Sequence, residues 1–344
     1  MRQQQQLLSD AVDDYLRFRR SMDLAKNTVK QDASTLRQFL ASTGNVWVHM
    51  ISDAHVTRFF EEAAKTRQPQ SMRNDYTRLQ TFFDWARQTG RMPKDNDPMY
   101  GRRKPKRAHK ERNRVHVSKF PALLDAAGAR SSRDRVALAL LLYTLARDGE
   151  ITDLRIRDVD LDAGYIMMRV HKARKEDRMP ISAELDAELR RWLTIYSEEV
   201  GFLEPHYYLV PSRDTRGVPG EDGSFVEQRH VRFVPERRIP QLGKMVNPAL
   251  EDIGFPTRDA TGRPLWEGAH TARRSGARAL FDSLSASGYD FALRVVQSML
   301  HHSSMQTTEL YLGLSADRRS RDEIIRGRKM YDFGENVTQM RREA

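Results

Sequence analysis

The sequence contains no cysteine among its 344 residues. Without a thiol the protein can form no disulfide bond, use no cysteine nucleophile and offer no thiolate to a metal. Long apolar runs are also missing, because the longest, Val136–Ala146, is far shorter than the roughly 20 residues of a membrane-spanning helix. The polar N-terminus reaches Asp10 before any long apolar run, so we expect no secretory signal, no membrane partner and a cytoplasmic protein.

Two further kinds of pattern are missing. No cluster of carboxylates has the spacing of metal ligands, and no glycine-rich loop could hold a nucleotide phosphate. We therefore expect a function that uses no metal and no cofactor. What the chain does have is positive charge, with 58 Lys and Arg against 47 Asp and Glu, a net charge of +11 and a pI near 9.9. This surplus favours a polyanionic partner, most simply nucleic acid.

Residues 1–100 carry apolar side chains at helical spacing in four runs separated by polar joints. The third run follows Ser52, a residue type that caps helices, and the fourth ends near Gly90. No strand pattern interrupts these runs. The spacing predicts a small helical domain in which the aromatic residues form the core rather than a surface for stacking bases.

A basic segment follows at residues 101–114. The sequence Asp95–Pro98 breaks the last helix, and eight of the thirteen residues from Arg102 to Arg114 are Lys or Arg. The length of the chain allows two domains, so this segment is expected to be the linker between them. A linker with so much positive charge could also follow a phosphate backbone.

Residues 115–344 are expected to form a second domain of helices with a small β-hairpin. Ser118 is a candidate cap for its first helix, and residues 204–241, rich in proline, glycine and charge, are expected to be loop with short strands. The elements predicted between these points are a helix through Leu124, a helix over Ser132–Ala146, strands Tyr165–Val170 and Arg178–Ile181, and a helix over Ala183–Tyr196.

Chemically useful side chains occur in a definite order along this second domain. His270 and Arg273 are three residues apart and share one helical face, and Tyr311 follows His302 by nine residues. Imidazole, guanidinium and phenol groups together could grip a phosphodiester and attack it. In chain order, the candidates are Arg147, Glu150, Lys172, His270, Arg273, His302 and Tyr311.

This ordered set resembles that of the tyrosine recombinases, the phage integrase and Xer-like group. Lys26-Asn27-Thr28 and Phe82-Phe83-Asp84-Trp85-Ala86 are likewise similar to parts of that family's core-binding domain. The resemblance implies a mainly α fold: a helical, SAM-like core-binding domain, followed by a mostly α catalytic domain with a small antiparallel sheet, the DNA breaking-rejoining fold.

The resemblance also implies a role for each side chain. Tyr311 would attack a DNA phosphate, and Arg147, Arg273 and His302 would stabilise the negative charge that gathers on its oxygens. His270 would accept the tyrosine proton, Lys172 would protonate the departing 5′-oxygen, and Glu150 would orient the site. Residues expected to contact DNA are Lys26, Thr28, Arg102, Arg103, Lys104, Lys106, Arg107 and Lys175.

Three short motifs depart from the family pattern. Thr144-Leu145-Ala146-Arg147 replaces Thr-Gly-Leu-Arg, Ala272 replaces a leucine between His270 and Arg273, and Leu300-His301-His302 replaces Leu-Gly-His. No functional group is lost, so these changes concern local packing. His301 competes with His302, and the spacing to Tyr311 favours His302.

By the same resemblance the protein is expected to act as a homotetramer on double-stranded DNA sites, through a Holliday junction, with a possible accessory DNA-bending or directionality factor. It would be associated with the nucleoid of a bacterial or phage-infected cell. Integration or excision of a mobile element is the first expectation, and Xer-like resolution of chromosome or plasmid dimers is the alternative. A type IB topoisomerase and a catalytically silent DNA-binding regulator are less favoured.

Overall fold

The computed structural model describes residues 5–106, 113–170, 175–219, 225–259, 262, 264–265 and 267–314, with only the backbone described at residues 175, 216–219 and 225–229. Lys172, Arg107 and the segment after residue 314 therefore lie outside the described residues. The chain divides into two compact units, Met1–Lys110 and Glu111–Ala344. Within the described part, no helix is both long and apolar enough to cross a membrane.

The first unit is a bundle of helices. Ser52 caps the third helix in a capping box with His55, and Pro69 occupies the first turn of the fourth, where its missing N–H has no helical partner to lose. Tyr15, Phe39 and Phe82 lie in the shared core, as the helical spacing predicted. The helices are α1 Leu8–Ser21, α2 Lys26–Thr43, α3 Asp53–Ala64 and α4 Pro69–Gln88.

The second unit is built around one helix that is buried on all sides. This helix, α6, carries an uninterrupted apolar run from Val136 to Leu142, and all of these side chains are buried. Other helices surround it because an all-apolar helix is stable only where no face meets water. The helices are α5 Phe120–Arg130, α6 Ser132–Thr144, α7 Asp148–Thr152, α8 Ala183–Val200, α9 Gly243–Asp252, α10 Ala269–Leu284, α11 Tyr289–Leu300 and α12 Met305–Leu312.

Two antiparallel sheets complete this unit. The first has the order β1 Val159–Asp160, β2 Tyr165–Val170 and β3 Lys175–Pro180, with Met168 opposite Asp177. The second is a long hairpin of β4 Pro211–Pro219 and β5 Phe225–Arg238. The mainly α fold with a small antiparallel sheet is thus confirmed.

Three local predictions were wrong. Residues 204–241 are not loop with short strands, because β5 alone has 14 residues. Its pairing with β4 supplies backbone hydrogen bonds, which the proline- and glycine-rich sequence did not suggest. The first α-helix of this unit, α5, begins at Phe120 and continues to Arg130. It follows a 3-10 turn over Val117–Lys119, and the cap of that turn is His116 rather than Ser118. Strand β3 begins at Lys175, three residues earlier than predicted.

A small apolar cluster joins the last three helices to the end of α6. Leu145, Phe281, Val296, Leu300 and Leu312 are buried in it. Helix α10 also approaches the backbone of α6 closely, because Gly276 leaves no side chain between them. The elements that carry the candidate site residues are therefore fixed to one another by close packing.

Candidate functional site

Arg147 lies at the junction of α6 and α7, where the chain changes direction. Leu145 produces the turn in a left-handed conformation with φ of 55°. This conformation costs a non-glycine residue roughly 1 kcal/mol. The buried side chain of Leu145, 1% exposed, offsets that cost. A strained leucine, held in place by the apolar cluster, therefore occupies the position at which the similar Thr-Gly-Leu-Arg motif has glycine.

Arg147 and Arg273 converge on one backbone oxygen. Nη2 of Arg273 donates to the carbonyl of Leu300 at 2.8 Å, and Nη2 of Arg147 approaches the same oxygen at 3.4 Å. Leu300 is the last residue of α11, where carbonyl groups have no partner within the helix. The end of α11 thus brings together two arginines that are 126 residues apart in the chain.

Glu150 lies between the two guanidinium groups. Its carboxylate accepts hydrogen bonds from the backbone N–H and from Nη1 of Arg147, both at 2.8 Å, and its Oε2 lies 3.8 Å from Nη1 of Arg273. Burial alone would raise the pKa of Glu150, but the hydrogen bonds from Arg147 and the charge of Arg273 outweigh this effect and lower the pKa. Glu150 is therefore ionised and contacts both arginines.

Arg273 is almost completely enclosed, with 2% of its surface exposed. Burial lowers its pKa, because removing water disfavours the charged form, while Tyr311 and Glu150 oppose the shift. Within the described chain, Nη1 of Arg273 and the hydroxyl of Tyr311 are both buried and make no hydrogen bond of good geometry. A buried donor and a buried hydroxyl thus lie in one cluster, available to a further polar group.

Tyr311 lies in the last turn of α12, a helix whose start is defined by its sequence. Ser304 caps the helix, and its side chain accepts a hydrogen bond from the N–H of Thr307. Burial raises the pKa of Tyr311, although the positive charges of Arg273, Arg274 and Arg147 oppose the rise. The phenol therefore keeps its proton at neutral pH unless a base removes it.

His302 and His301 have different surroundings. The ring of His302 packs edge-on against Tyr311, with 5.3 Å between ring centroids, and its Nδ1 lies 3.1 Å from Oγ1 of Thr308. His301 instead adopts the left-handed conformation, with φ of 52°, and its Nε2 lies 2.9 Å from Oδ2 of Asp177. The contact with Tyr311 favours His302 over His301, in agreement with the spacing.

His270 is in the first turn of α10, one helical turn before Arg273. The residue is exposed to solvent, yet partial desolvation of the imidazole, together with the charges of Arg273 and Arg274, lowers its pKa, while Asp148 opposes the shift. A neutral imidazole at physiological pH can accept a proton. His270 is therefore in the neutral form that a general base requires.

Of the residues expected to contact DNA, Lys26 and Thr28 are exposed in the first turn of α2. Arg103, Lys104 and Lys106 are exposed as well. Arg102 differs, because its guanidinium bonds to Oγ1 of Thr57 and lies over the ring of Phe60 at 5.2 Å. Its charge is partly engaged within its own unit. Lys175 is the first residue of β3.

Several participants could not be found from the sequence. The carbonyl of Leu300 has no side-chain signature, and Asp148 and Asp177 are single carboxylates among 47 acidic residues. Asp148 accepts from the N–H of Leu242 at 3.0 Å, and burial raises its pKa. Among the described residues, no group of three His, Asp or Glu side chains is arranged to hold a metal ion.

Comparison with known proteins places this geometry in context. The family model described as the phage integrase family matches residues 113–318. The tyrosine recombinase XerC of Proteus mirabilis is 25% identical over 318 residues, which cover 89% of this chain and 90% of that protein.

Two solved structures have a similar fold. A lambda integrase dimer bound to a COC′ core site superposes with a TM-score of 0.66 at 15% identity, covering 96% of this chain and 82% of that one. A lambda integrase tetramer bound to a Holliday junction gives a TM-score of 0.64 at 15% identity, covering 87% of this chain and 78% of that one. At this identity the likeness concerns the fold alone.

Proposed function

Because this chain belongs to the phage integrase family, we propose that it is a tyrosine-type site-specific DNA recombinase that cuts and rejoins DNA through a 3′-phosphotyrosine intermediate. The observation that carries this proposal is the convergence of Arg147 and Arg273 on the end of α11, next to the enclosed hydroxyl of Tyr311. Two guanidinium groups beside a phenol suit the attack of a tyrosine on a phosphodiester.

The two arginines act on the negative charge of the transition state. When the tyrosine oxygen bonds to phosphorus, charge gathers on the non-bridging oxygens, and the guanidinium groups can hold those oxygens with paired hydrogen bonds. Among the described residues, Nη1 of Arg273 makes no hydrogen bond of good geometry, so it is a donor available for this purpose. His302 adds a further hydrogen bond, and Glu150 orients the arginines without reacting.

Two proton transfers accompany the exchange of bonds. The proton of Tyr311 passes to His270 as the new phosphorus–oxygen bond forms, and the lowered pKa of His270 supports this role. The bond from phosphorus to the 5′-oxygen breaks, and Lys172 donates the proton that the 5′-oxygen takes up. The phosphotyrosine bond keeps the energy of the phosphodiester, so rejoining needs no nucleotide hydrolysis and no cofactor.

The partners follow from the same family membership. Each protomer binds one half of a double-stranded DNA site, with residues 1–100 acting as the core-binding domain, residues 101–114 as the linker and residues 115–344 as the catalytic domain. Four protomers assemble on two sites and pass through a Holliday junction. The lambda integrase tetramer supports this assembly through its similar fold. The protein would act at the nucleoid, with an accessory factor that bends DNA or sets direction.

Two biological roles fit this chemistry. Integration and excision of a phage or another mobile element is the first, supported by the phage integrase family match. Resolution of chromosome or plasmid dimers is the second, and the similarity to XerC over nearly the whole chain favours it. Sequencing of DNA trapped covalently on the protein separates the two, because an element's attachment site and a chromosomal resolution site differ in location.

The experiment that tests the reaction is the substitution Tyr311→Phe. The variant keeps the ring that packs against His302 and loses only the nucleophilic oxygen. We expect unchanged DNA binding in a mobility-shift assay and no covalent protein–DNA adduct on a nicked suicide substrate in a denaturing gel. Tyr289→Phe is the matched control, since this half-exposed tyrosine opens α11, and it should form the adduct normally. An adduct of full strength from Tyr311→Phe would exclude Tyr311 as the nucleophile.

A further inference from the structure

His301 occupies a position between two site residues that only glycine adopts without strain. It follows Leu300, whose carbonyl receives the two arginines, and precedes His302, which packs on Tyr311. Its φ of 52° lies in the left-handed region. A turn needs no side chain here, so the contacts of the imidazole indicate what the residue does.

The imidazole of His301 points inward and is held at one end. Its side chain is 3% exposed, and Nε2–H donates to Oδ2 of Asp177 at 2.9 Å. Among the described residues, Nδ1 is buried and has no hydrogen-bond partner. The bond to Asp177 is therefore the polar contact that fixes the ring.

Asp177 belongs to a different element from His301. It lies in β3 opposite Met168 of β2, and Met168 is completely buried, so both side chains occupy the inner face of the sheet. Its neighbour Glu176 is on the outer face, where it pairs with Arg169. The bond between His301 and Asp177 thus joins the turn after α11 to the inner face of the β2–β3 hairpin.

We propose that His301 is a positioning residue that fixes the β2–β3 hairpin, through Asp177, for protonation of the leaving 5′-oxygen. This inference rests on the proposed function, in which the connection between β2 and β3 supplies the acid, Lys172. The turn that carries His301 is continuous with His302 and with α12. One hydrogen bond therefore joins the turn that leads to Tyr311 to β3, the strand that follows Lys172 in the sequence.

A displacement of about 1 Å in a catalytic group can slow a reaction roughly 100-fold. We expect His301→Gly to cleave ordinary DNA roughly 10- to 100-fold more slowly than the unchanged protein. Glycine adopts the left-handed turn without strain, so the turn after α11 is preserved. Thermal unfolding and binding to DNA, measured on the same preparation, check that the variant is folded.

Sulfur substitution separates proton donation from every other step. A 5′-bridging phosphorothiolate releases a thiolate, which needs no proton, so a defect in the acid disappears on this substrate. We expect His301→Gly and Asp177→Ala to regain most of their rate on it, and the double variant to be no slower than either single one on ordinary DNA. Glu176→Gln, on the outer face of the same strand, is the matched control and should cleave both substrates at the unchanged rate.

The outcomes distinguish this inference from the proposed function. If His301→Gly is slow on both substrates, or as fast as the unchanged protein on both, His301 does not position the acid. If Lys172→Ala is not rescued by sulfur while His301→Gly is, the hairpin is positioned as proposed and the acid is another of its residues. Adduct formation by Tyr311→Phe would overturn the proposed function itself.

Discussion

The hydroxyl of Tyr311 shows how single residues set the chemistry of the site. Burial raises the pKa of this phenol, and three neighbouring arginines oppose the rise without cancelling it. The proposed nucleophile is therefore protonated at neutral pH. In the proposed reaction a base must remove this proton, and His270, whose pKa is lowered by desolvation and by Arg273 and Arg274, is a neutral imidazole at that pH.

The first prediction concerns the acid side of the pH profile. His270 titrates below its ordinary value of 6.5, so it stays unprotonated at neutral pH and gains a proton only as the pH falls through that lowered pKa. Single-turnover cleavage should therefore be constant around neutrality and decrease only at pH values below about 6.5. His270→Gln should be roughly 100-fold slower or more, without this decrease. If the cleavage rate of His270→Gln decreases at acidic pH in the same way, His270 is not the base.

At the scale of elements, the close approach of α10 to α6 aligns the two arginines. A Cβ atom placed on Gly276 would lie 2.1 Å from the backbone oxygen of Leu142 and 2.9 Å from the side chain of Leu145. No side chain fits there, and Leu145 directly precedes the segment that carries Arg147. The separation of the helices therefore controls the distance between Arg147 and Arg273.

The second prediction follows from this contact. Gly276→Ala should force α10 away from α6 and destabilise the protein by about 2 to 3 kcal/mol. The matched control is Gly128→Ala in α5, where the new Cβ would meet only the flexible side chain of Arg135, at 3.3 Å. That change should be neutral or slightly stabilising, because alanine favours a helix over glycine. Equal denaturation midpoints for the two variants would show that the helices do not depend on this contact.

At the scale of the whole molecule, a net charge of +11 provides the long-range attraction to DNA. The charge is unevenly distributed. Many arginines pair with carboxylates inside each unit, whereas Arg103, Lys104 and Lys106, in the basic segment 101–114, are exposed. Arg102, whose guanidinium contacts Thr57 and Phe60, has a structural role in addition to its charge.

The third prediction tests that distribution. Replacing Arg103, Lys104 and Lys106 by glutamine should weaken binding to all sequences alike and reduce the salt dependence of log K by about 0.9 for each lost phosphate contact. Arg102→Gln should instead lower the thermal stability of the first unit. Binding titrations at several salt concentrations and a thermal melt measure the two effects. A salt slope that does not change in the triple variant would exclude these residues from the DNA interface.

Much of this protein is determined by local sequence. The helical runs of the first unit, the cap at Ser52 and the apolar helix around Val136 follow from periodicity and side-chain chemistry, which act over a few residues. The order of the polar residues from Arg147 to Tyr311 indicated the family and the reaction. These features need no knowledge of distant contacts, so the sequence predicted them.

Tertiary structure decided the rest, because the deciding contacts join residues far apart in the chain. The hairpin of β4 and β5 is stabilised by pairing that its proline and glycine content did not suggest. Leu145 and His301 occupy left-handed turns because burial in the apolar cluster and the bond to Asp177 hold them there. The carbonyl of Leu300 contacts both Arg147 and Arg273 only because α11 ends beside α6 and α10. No local sequence pattern predicts that these helix ends lie together.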